Sequence, residues 1–272
     1  MNRQTLIVYF SLTYLISWLI WSPLVAAAQG WIDVNVTPFL YVLGFMGPLL
    51  SAIIVTAGSL GLTGVRALLS GLGKVRVGLQ WYAFVLLVPP LLFLAAALIN
   101  YGVTGEWAAM KQYGQLVDMF PSLGLVLTAI AHILIVGIGE EVGWRGFALP
   151  RLQNKHKALK STLILAPLWG FWHLPTFLFD NDLLTGLGLA IFFTVLSIPI
   201  AIIYTWLYNS TGGSLFIVSL WSTSTTLAIG SSAAKGIIPI IISALLIIMA
   251  MLITNLTNTE NLSRQAKVTV DR

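Results

Sequence analysis

The sequence contains no cysteine and very few charged residues. Its 272 residues include 14 basic and 9 acidic side chains, so that 8% are charged, whereas 58% are hydrophobic. A soluble domain carries about 25% charged residues, and a chain with this composition cannot cover itself with a water-compatible surface. The absence of cysteine excludes disulfides, thiolate catalysis and thiolate metal sites. The composition therefore predicts a protein that crosses a membrane several times.

Eight apolar segments along the chain are predicted to span a bilayer. A membrane helix needs about 20 mostly apolar residues. The predicted fold is an all-α, polytopic membrane helical bundle that forms one domain over residues 1–257, with a motif-bearing core at 123–233 and a polar tail at 258–272. The predicted spans lie at about 5–28, 37–61, 80–101, 123–146, 161–180, 185–208, 213–233 and 236–256.

The basic residues are divided unequally between the connectors of such a bundle. With eight spans, Arg3, the connector 62–79, the connector 151–160 and the tail fall on one side, and the other side holds few lysines. Because short cytoplasmic loops are enriched in Lys and Arg, we predict cytoplasmic termini and a multi-pass protein of the cell membrane. The mixed apolar and basic connector 62–79 is expected to lie along the interface. Since the positive charge is spread over short connectors, no nucleic-acid partner is expected.

Two adjacent carboxylates follow the apolar run that ends at Gly139. Charged side chains are costly inside a membrane, so those that remain there usually have a function. Adjacent helix residues point about 100° apart, and therefore Glu140 and Glu141 take different partners. Glu141 and Arg145 have the favourable i,i+4 order and are predicted to pair. In one interpretation both carboxylates only balance Arg145. One cation does not neutralise two carboxylates, which favours Glu140 as a general base facing the interior.

Two of the three histidines lie inside predicted spans. His173 ends the aromatic segment that begins at Trp169, and an intramembrane imidazole there indicates either a function or a bond to a neighbouring backbone carbonyl. His132 precedes Glu140 by eight residues and shares its helix face, so it either lines the same cavity or makes a buried polar contact. Trp169 is the second candidate cavity-lining residue. A carboxylate base and an imidazole in one pocket are suited to activate water for attack on an amide.

Zinc is the alternative to a metal-free site. A catalytic zinc usually has three protein ligands, and Glu140, Glu141 and His173 offer three. However, the two carboxylates diverge, and the sequence has no His-Glu-x-x-His pair to anchor the ion. We therefore expect no cofactor, with zinc held by these three residues as the alternative.

Three segments together resemble the CPBP family, also called Abi or CAAX prenyl protease 2-like membrane proteases. The sequence EEVGWRG at 140–146, followed by ALPRL at 148–152, resembles the first family motif, and WGFWHLP at 169–175 resembles the second. The segment 205–215 is similar to the lead-in to the third. The resemblance covers most of the chain, including the eight-span layout. It implies intramembrane peptide hydrolysis, with Glu140 and His173 activating water and Glu141 and Arg145 supporting the site.

The third motif departs from the family pattern. The family has a histidine and, four residues later, often an asparagine that are thought to hold the oxyanion, whereas Ser222 and Thr226 stand at these positions here. Both hydroxyls fall on one helix face, but a hydroxyl donates one hydrogen bond and carries no positive charge. Ser222 and Thr226 therefore either replace the oxyanion donors or serve as ordinary polar packing between helices.

Three functions follow as hypotheses. The first is a membrane-embedded endopeptidase that cleaves a peptide or membrane-protein substrate near the cytoplasmic side of the lipid bilayer. The second is a catalytically impaired relative that binds a peptide or partner protein, as in bacteriocin immunity or scaffolding, which the altered third motif favours. The third is a proton-coupled transporter, because intramembrane Glu and His relay protons. No inverted repeat supports the third hypothesis.

Overall fold

The computed structural model describes residues 3–37, 39–116, 119–120 and 123–270, and these residues form helices and connecting turns without strands. The all-α prediction is therefore confirmed. The helices are α1 (Arg3–Ala28), α2 (Phe39–Gly44), α3 (Gly47–Leu69), α4 (Leu79–Thr104), α5 (Leu125–Gln153), α6 (Ala158–Trp172), α7 (Leu183–Ser210), α8 (Leu215–Ile229) and α9 (Ile238–Leu256).

Within the described residues, six helical segments are long and apolar enough to cross a membrane: Gln4–Ala28, Phe39–Gly73, Leu79–Thr104, Leu125–Gln153, Leu183–Ser210 and Ile238–Leu256. The predicted span 161–180 overlaps α6 and the predicted span 213–233 contains α8, and these helices have 15 residues each. A helix of that length is about 22 Å long and does not by itself cross a hydrocarbon core of about 30 Å. The count of eight spans and the cytoplasmic position of the termini stay predictions.

Proline and glycine determine where two of the helices break. The predicted span 37–61 is divided into α2 and α3 at Phe45–Met46. Pro48 lies in the first turn of α3, where the missing backbone N–H removes no helical hydrogen bond. Near the other end of α3, Gly61 adopts a positive φ of 63° and kinks the helix. The segment after Gly61 therefore runs in a different direction from the membrane-spanning part of α3.

Helices α3 and α5 are in close contact beside the two adjacent carboxylates. A Cβ atom added at Gly139 would lie 2.7 Å from the carbonyl oxygen of Phe45. One added at Gly143 would lie 2.5 Å from Pro48 Cβ and 2.6 Å from its carbonyl carbon. The absent side chains allow the two backbones to touch, and this contact fixes α3 against the helix that carries Glu140.

We expect Gly143→Ala to destabilise the protein by about 1–3 kcal/mol, because the new methyl group overlaps backbone atoms of Pro48 that cannot rotate away. Gly58→Ala is the matched control, since it lies in α3 with no atom within 4 Å of the added Cβ. The measurement is the free energy of unfolding in detergent micelles. Equal stability of the two variants would show that the α3–α5 contact is looser than the structure indicates.

An aromatic cluster centred on Trp172 packs α1, the α2–α3 connection and α5 against the end of α6. The ring centroid of Trp172 lies 5.0 Å from that of Trp21, 5.9 Å from Phe45 and 5.8 Å from Trp144. Helix α7 packs along the length of α6 and contacts α9 on another side. These contacts hold the end of α6, and with it His173, against the middle of α5.

The tail folds back onto the end of the bundle where α5 and α6 are joined. The side chain of Gln153 donates to the carbonyl oxygen of Val268 at 2.7 Å, and Val268 N–H donates to Asn209 Oδ1 at 3.1 Å. Asn209 and Gln153 also pair through their amide groups at 2.8 and 3.1 Å. Buried amides of α5 and α7 therefore hold the described part of the tail, 258–270.

Candidate active site

The two adjacent carboxylates occupy an irregular part of α5. They end a short α-helical stretch, Ile138–Glu141, that is flanked by π-helical stretches at Ile133–Gly137 and Val142–Ala148. Such wide turns are rare and occur often at functional sites. Each one accommodates more residues per turn than an α-helix, so residues before and after it no longer share the face that a count of 3.6 predicts.

Glu140 is buried and faces α6. Its Oε2 atom accepts a hydrogen bond from Trp169 Nε1–H at 2.8 Å and lies 3.9 Å from His173 Nε2. The structure thus brings together Glu140, Trp169 and His173, which the first two motifs contribute from different helices. The distance of 3.9 Å is longer than a direct hydrogen bond, and a bridging donor is the ordinary way to join polar atoms at such a separation.

The backbone sets the tautomer of His173. Its Nδ1 atom is 2.9 Å from the carbonyl oxygen of Trp169. A carbonyl only accepts, so Nδ1 carries the hydrogen, and Nε2 of the neutral ring is an acceptor. An ionised Glu140 is also only an acceptor. Two acceptors therefore face each other, an arrangement that suits a small molecule with two donor hydrogens, such as water.

Glu141 points away from this pair and contacts Arg145. Arg145 Nη1 donates to Glu141 Oε1 at 3.1 Å, and both side chains are almost completely buried. The guanidinium lies 4.5 Å from the ring centroid of Trp169 and 4.0 Å from that of Tyr204. These cation–π contacts add to the stabilisation of the buried charge. Arg145 thereby links the Glu141 carboxylate to the Trp169 ring that binds Glu140.

Tyr204, on α7, is a site residue that the sequence did not predict. Its ring packs 5.6 Å from that of Trp169, and its hydroxyl interacts with the side chain of Ser222. A tyrosine in an apolar span is usually a packing residue, so its type alone gave no reason to select it. The available signal was its position, directly before the segment 205–215 that resembles the lead-in to the third motif.

The two replaced third-motif positions differ in their surroundings. Ser222 is buried, and its side chain lies near the Tyr204 hydroxyl. Thr226, one turn further along α8, is partly buried, and in the described parts of the chain no hydrogen bond joins it to Glu140 or His173. Of the two replaced positions, Ser222 therefore has the contact with a site residue that supports a role there.

His132 forms a buried contact with α8. Its Nδ1 atom is 2.9 Å from Thr223 Oγ1, and the residue has no exposed surface. The helical count that placed it on the face of Glu140 assumed a regular α-helix, whereas the π-helical stretch 133–137 lies between the two residues. Of the two interpretations left open for His132, the geometry favours the buried polar contact.

The donors of the alternative zinc site do not converge on one point. Glu140 and His173 face each other, but the Glu141 carboxylate is turned toward Arg145. Among the residues that the structure describes, no group of three His, Asp or Glu side chains is arranged to hold a metal ion. The geometry thus offers a zinc ion two ligands, fewer than the usual three. A metal-free site stays a prediction.

Comparison with known proteins gives two matches. Residues 122–228 match the family described as type II CAAX prenyl endopeptidase Rce1-like. Over 210 residues the chain is 23% identical to CAAX prenyl protease 2 of Methanococcus maripaludis, and the matched region covers 73% of this chain and 74% of the relative. The matched family region contains every candidate site residue, from His132 to Thr226.

Proposed function

We propose that this chain is an intramembrane endopeptidase in which Glu140 and His173 activate water. The match of residues 122–228 to the Rce1-like family supports a membrane protease. The observation that carries the proposal is the pair of facing acceptors, Glu140 Oε2 and His173 Nε2, at 3.9 Å. In the proposed mechanism, one water molecule donates a hydrogen bond to each of them.

In this mechanism Glu140 acts as the general base. It takes a proton as the water oxygen attacks the carbonyl carbon of the scissile peptide bond, and a tetrahedral intermediate with a negatively charged oxygen forms. The C–N bond then breaks, and Glu140 returns the proton to the leaving amine. The hydrogen bond from Trp169 orients the carboxylate, and the bond to the Trp169 carbonyl orients the imidazole. A positioned base contributes about 10²–10⁴-fold to such a reaction.

The oxyanion of the intermediate needs donors, and we assign them to the hydroxyls of Tyr204 and Ser222. The two side chains interact, and Tyr204 is stacked on the Arg145 guanidinium. A phenol and an adjacent hydroxyl each supply one O–H donor. This pair replaces the histidine and asparagine that the family resemblance implies, and the nearby positive charge of Arg145 favours the charged intermediate.

Tyr204→Phe is expected to lower kcat for peptide hydrolysis about 10²–10³-fold, the usual effect of removing one oxyanion donor. The ring and its contact with Arg145 remain, so stability is expected to change little. Tyr82→Phe is the control, because it removes a hydroxyl that donates to the Val75 carbonyl rather than to a site residue. If both variants hydrolyse peptide at the same rate, Tyr204 is a packing residue.

The substrate we propose is a peptide segment that reaches the site from the side of the membrane carrying the connector 151–160, the predicted cytoplasmic side. The M. maripaludis relative is named a CAAX prenyl protease. A prenylated C-terminal peptide is therefore one probe, and its unprenylated counterpart is the matched one. Faster cleavage of the prenylated form would assign a lipidated substrate, and equal rates would assign an unmodified peptide.

The first experiment is peptide hydrolysis by the purified protein in detergent, with a library of quenched peptides and these two probes. Cleavage that survives treatment with a metal chelator would support the metal-free mechanism. Cleavage lost to the chelator and restored by zinc would contradict it. The absence of cleavage by a folded protein, across the library and in lipid vesicles, would contradict the endopeptidase proposal itself.

A second candidate function is peptide or partner binding without hydrolysis, as in an immunity or scaffold protein. It is favoured by one observation, the replacement of both expected third-motif residues by Ser222 and Thr226. The double substitution Ser222→His/Thr226→Asn separates the two candidates. Hydrolysis that appears only after this change would indicate that the natural chain binds its partner without cleaving it.

A further inference from the structure

Helices α5 and α8 are in contact just before the residues of α5 that carry Glu140. At one end of this contact, His132 Nδ1 is 2.9 Å from Thr223 Oγ1, and both residues are buried. At the other end, a Cβ atom added at Gly137 would lie 3.2 Å from Ser219 Cβ and 3.2 Å from the Ser219 carbonyl oxygen. The earlier residue of α5 meets the later residue of α8, so the two helices run antiparallel here.

The wide turn of α5 lies on this contact. The π-helical stretch Ile133–Gly137 fills the interval between the two ends of the contact, and Glu140 follows it by three residues. A wide turn changes the direction in which the residues after it point, so its packing on α8 affects the direction of the Glu140 side chain. The α5–α8 contact therefore supports the backbone irregularity that turns the proposed base toward α6.

The side of α8 that meets α5 also carries the assigned oxyanion donor. Ser222 and Thr223 follow Ser219 by three and four residues, which places all three on one helix face. Ser222 lies near the Tyr204 hydroxyl, whereas Thr223 contacts His132. Two consecutive residues thus connect α8 to α7 and to α5. Because neighbouring residues of a helix move together, a shift of α8 at Thr223 also moves the Ser222 hydroxyl.

The contact between His132 and Thr223 is small in energy and specific in geometry. Burial removes the imidazole from water, and a hydrogen bond between membrane helices stabilises a bundle only modestly. Within the described ranges, His132 Nε2 is buried without a hydrogen-bond partner, so the Thr223 hydroxyl is the polar partner of this ring. A directional contact in apolar surroundings selects one position of α8 along α5.

We propose that His132 is a positioning residue of the peptidase. Through Thr223 it fixes α8 on the wide turn of α5, and so it sets the separation between the Ser222 hydroxyl and the Glu140 carboxylate. This inference rests on the proposed function, in which Glu140 activates water and Ser222 holds the oxyanion. An oxyanion donor acts on the tetrahedral intermediate more than on the bound substrate, so its displacement lowers kcat and leaves KM nearly unchanged.

The test compares Thr223→Val, which keeps the shape and removes the hydroxyl, with Thr223→Ser, which keeps the hydroxyl. We expect Thr223→Val to lower kcat for peptide hydrolysis about tenfold with KM within about twofold, and Thr223→Ser to have the wild-type kcat. Thr128→Val is the matched control, because Thr128 is buried in α5 and its hydroxyl donates to the Leu123 carbonyl, not to α8. Equal losses in Thr223→Val and Thr128→Val, or in Thr223→Val and Thr223→Ser, overturn the inference.

A double-variant cycle assigns the effect to the contact itself. His132→Leu is expected to lower kcat by a factor similar to that of Thr223→Val. The combined variant His132→Leu/Thr223→Val is expected to lose no more than either single variant, because each change already breaks the same contact. A combined loss equal to the product of the two single losses would mean that the residues act separately, which contradicts the proposal.

Hydrogen exchange separates this inference from the proposed function, because it needs no enzymatic activity. We expect the backbone amides of residues 220–226 to exchange faster in Thr223→Val than in the wild type, Thr223→Ser or Thr128→Val. If this pattern appears in a wild type that does not cleave peptide, the placement of α8 by His132 is supported and the peptidase proposal alone fails. Unchanged exchange in Thr223→Val overturns the positioning role, whether or not peptide is cleaved.

Discussion

Replacing Glu140 with glutamine is expected to lower the rate of peptide hydrolysis about 10²–10⁴-fold, the contribution of a positioned general base. Glutamine has nearly the same shape, and its amide oxygen still accepts the Trp169 N–H bond that holds Glu140 at 2.8 Å. The amide oxygen is not basic enough to take a proton from water. The substitution therefore removes the proton transfer while preserving the packing, so kcat is expected to fall with little change in the unfolding midpoint.

The control for this experiment is Glu106→Gln, which makes the same chemical change at an exposed position in the connector after α4. Wild-type rates in Glu106→Gln together with a lower rate in Glu140→Gln would establish that the rate depends on the carboxylate at position 140, and not on the loss of any one carboxylate. Unchanged hydrolysis in Glu140→Gln would exclude it as the base. If neither the wild type nor the variant cleaves peptide and both are folded, the binding function gains support.

The spacing of residues in the sequence predicted contacts within one helical turn, but it did not predict which residues share a helix face over two turns. Glu141 and Arg145 are four residues apart, and a contact at that spacing survives in an irregular helix because it needs only one turn. His132 and Glu140 are eight residues apart, and a π-helical stretch between them changes their relative direction. The helix face of residues two turns apart therefore could not be predicted. It depends on a π-helical stretch in the backbone, and the residue types do not indicate where such a stretch forms.

Tyr204 could not be selected from the sequence for a different reason. Its role depends on the packing of α7 against α6, which brings its ring to Arg145 and Trp169. No local pattern encodes that contact, since apolar spans contain tyrosines for many structural reasons. Trp169, in the last turn of α6, and His173, the residue directly after that helix, belong to one sequence motif and were recognisable together. Residues within one motif were predictable, whereas partners from a third helix were not.

The number of membrane spans also could not be predicted from the sequence alone, because apolar segments do not reveal the lengths of their helices. The apolar runs at 161–180 and 213–233 are long enough in the sequence, yet α6 and α8, which form there, have 15 residues each. Helix α6 ends at Trp172, one residue before His173, and a short 3₁₀ turn containing Pro175 follows. Hydropathy measures how apolar a segment is, but it does not show where the helix within that segment ends. The shortened helix places His173 at a helix end, where its ring faces Glu140.

The largest stability effect is expected from the pair formed by Glu141 and Arg145. Glu141→Gln is expected to cost about 3–5 kcal/mol of unfolding free energy, because it leaves the buried Arg145 guanidinium without its paired carboxylate. Arg145→Met is expected to cost a similar amount, since it leaves the Glu141 carboxylate buried and alone. The free energy of unfolding in mixed detergent micelles is the measurement, and Glu106→Gln again controls for the loss of one carboxylate.

The double variant Glu141→Gln/Arg145→Met decides whether this cost comes from the uncompensated charge. It contains neither charge, so we expect it to be more stable than either single variant, because replacing a buried pair with neutral groups is often close to neutral. A loss equal to the sum of the two single losses would mean that each residue stabilises the bundle through separate packing. A recovered stability with a still lower rate of hydrolysis would show that Arg145 contributes charge to the site as well as structure, which is what its stack on Tyr204 predicts.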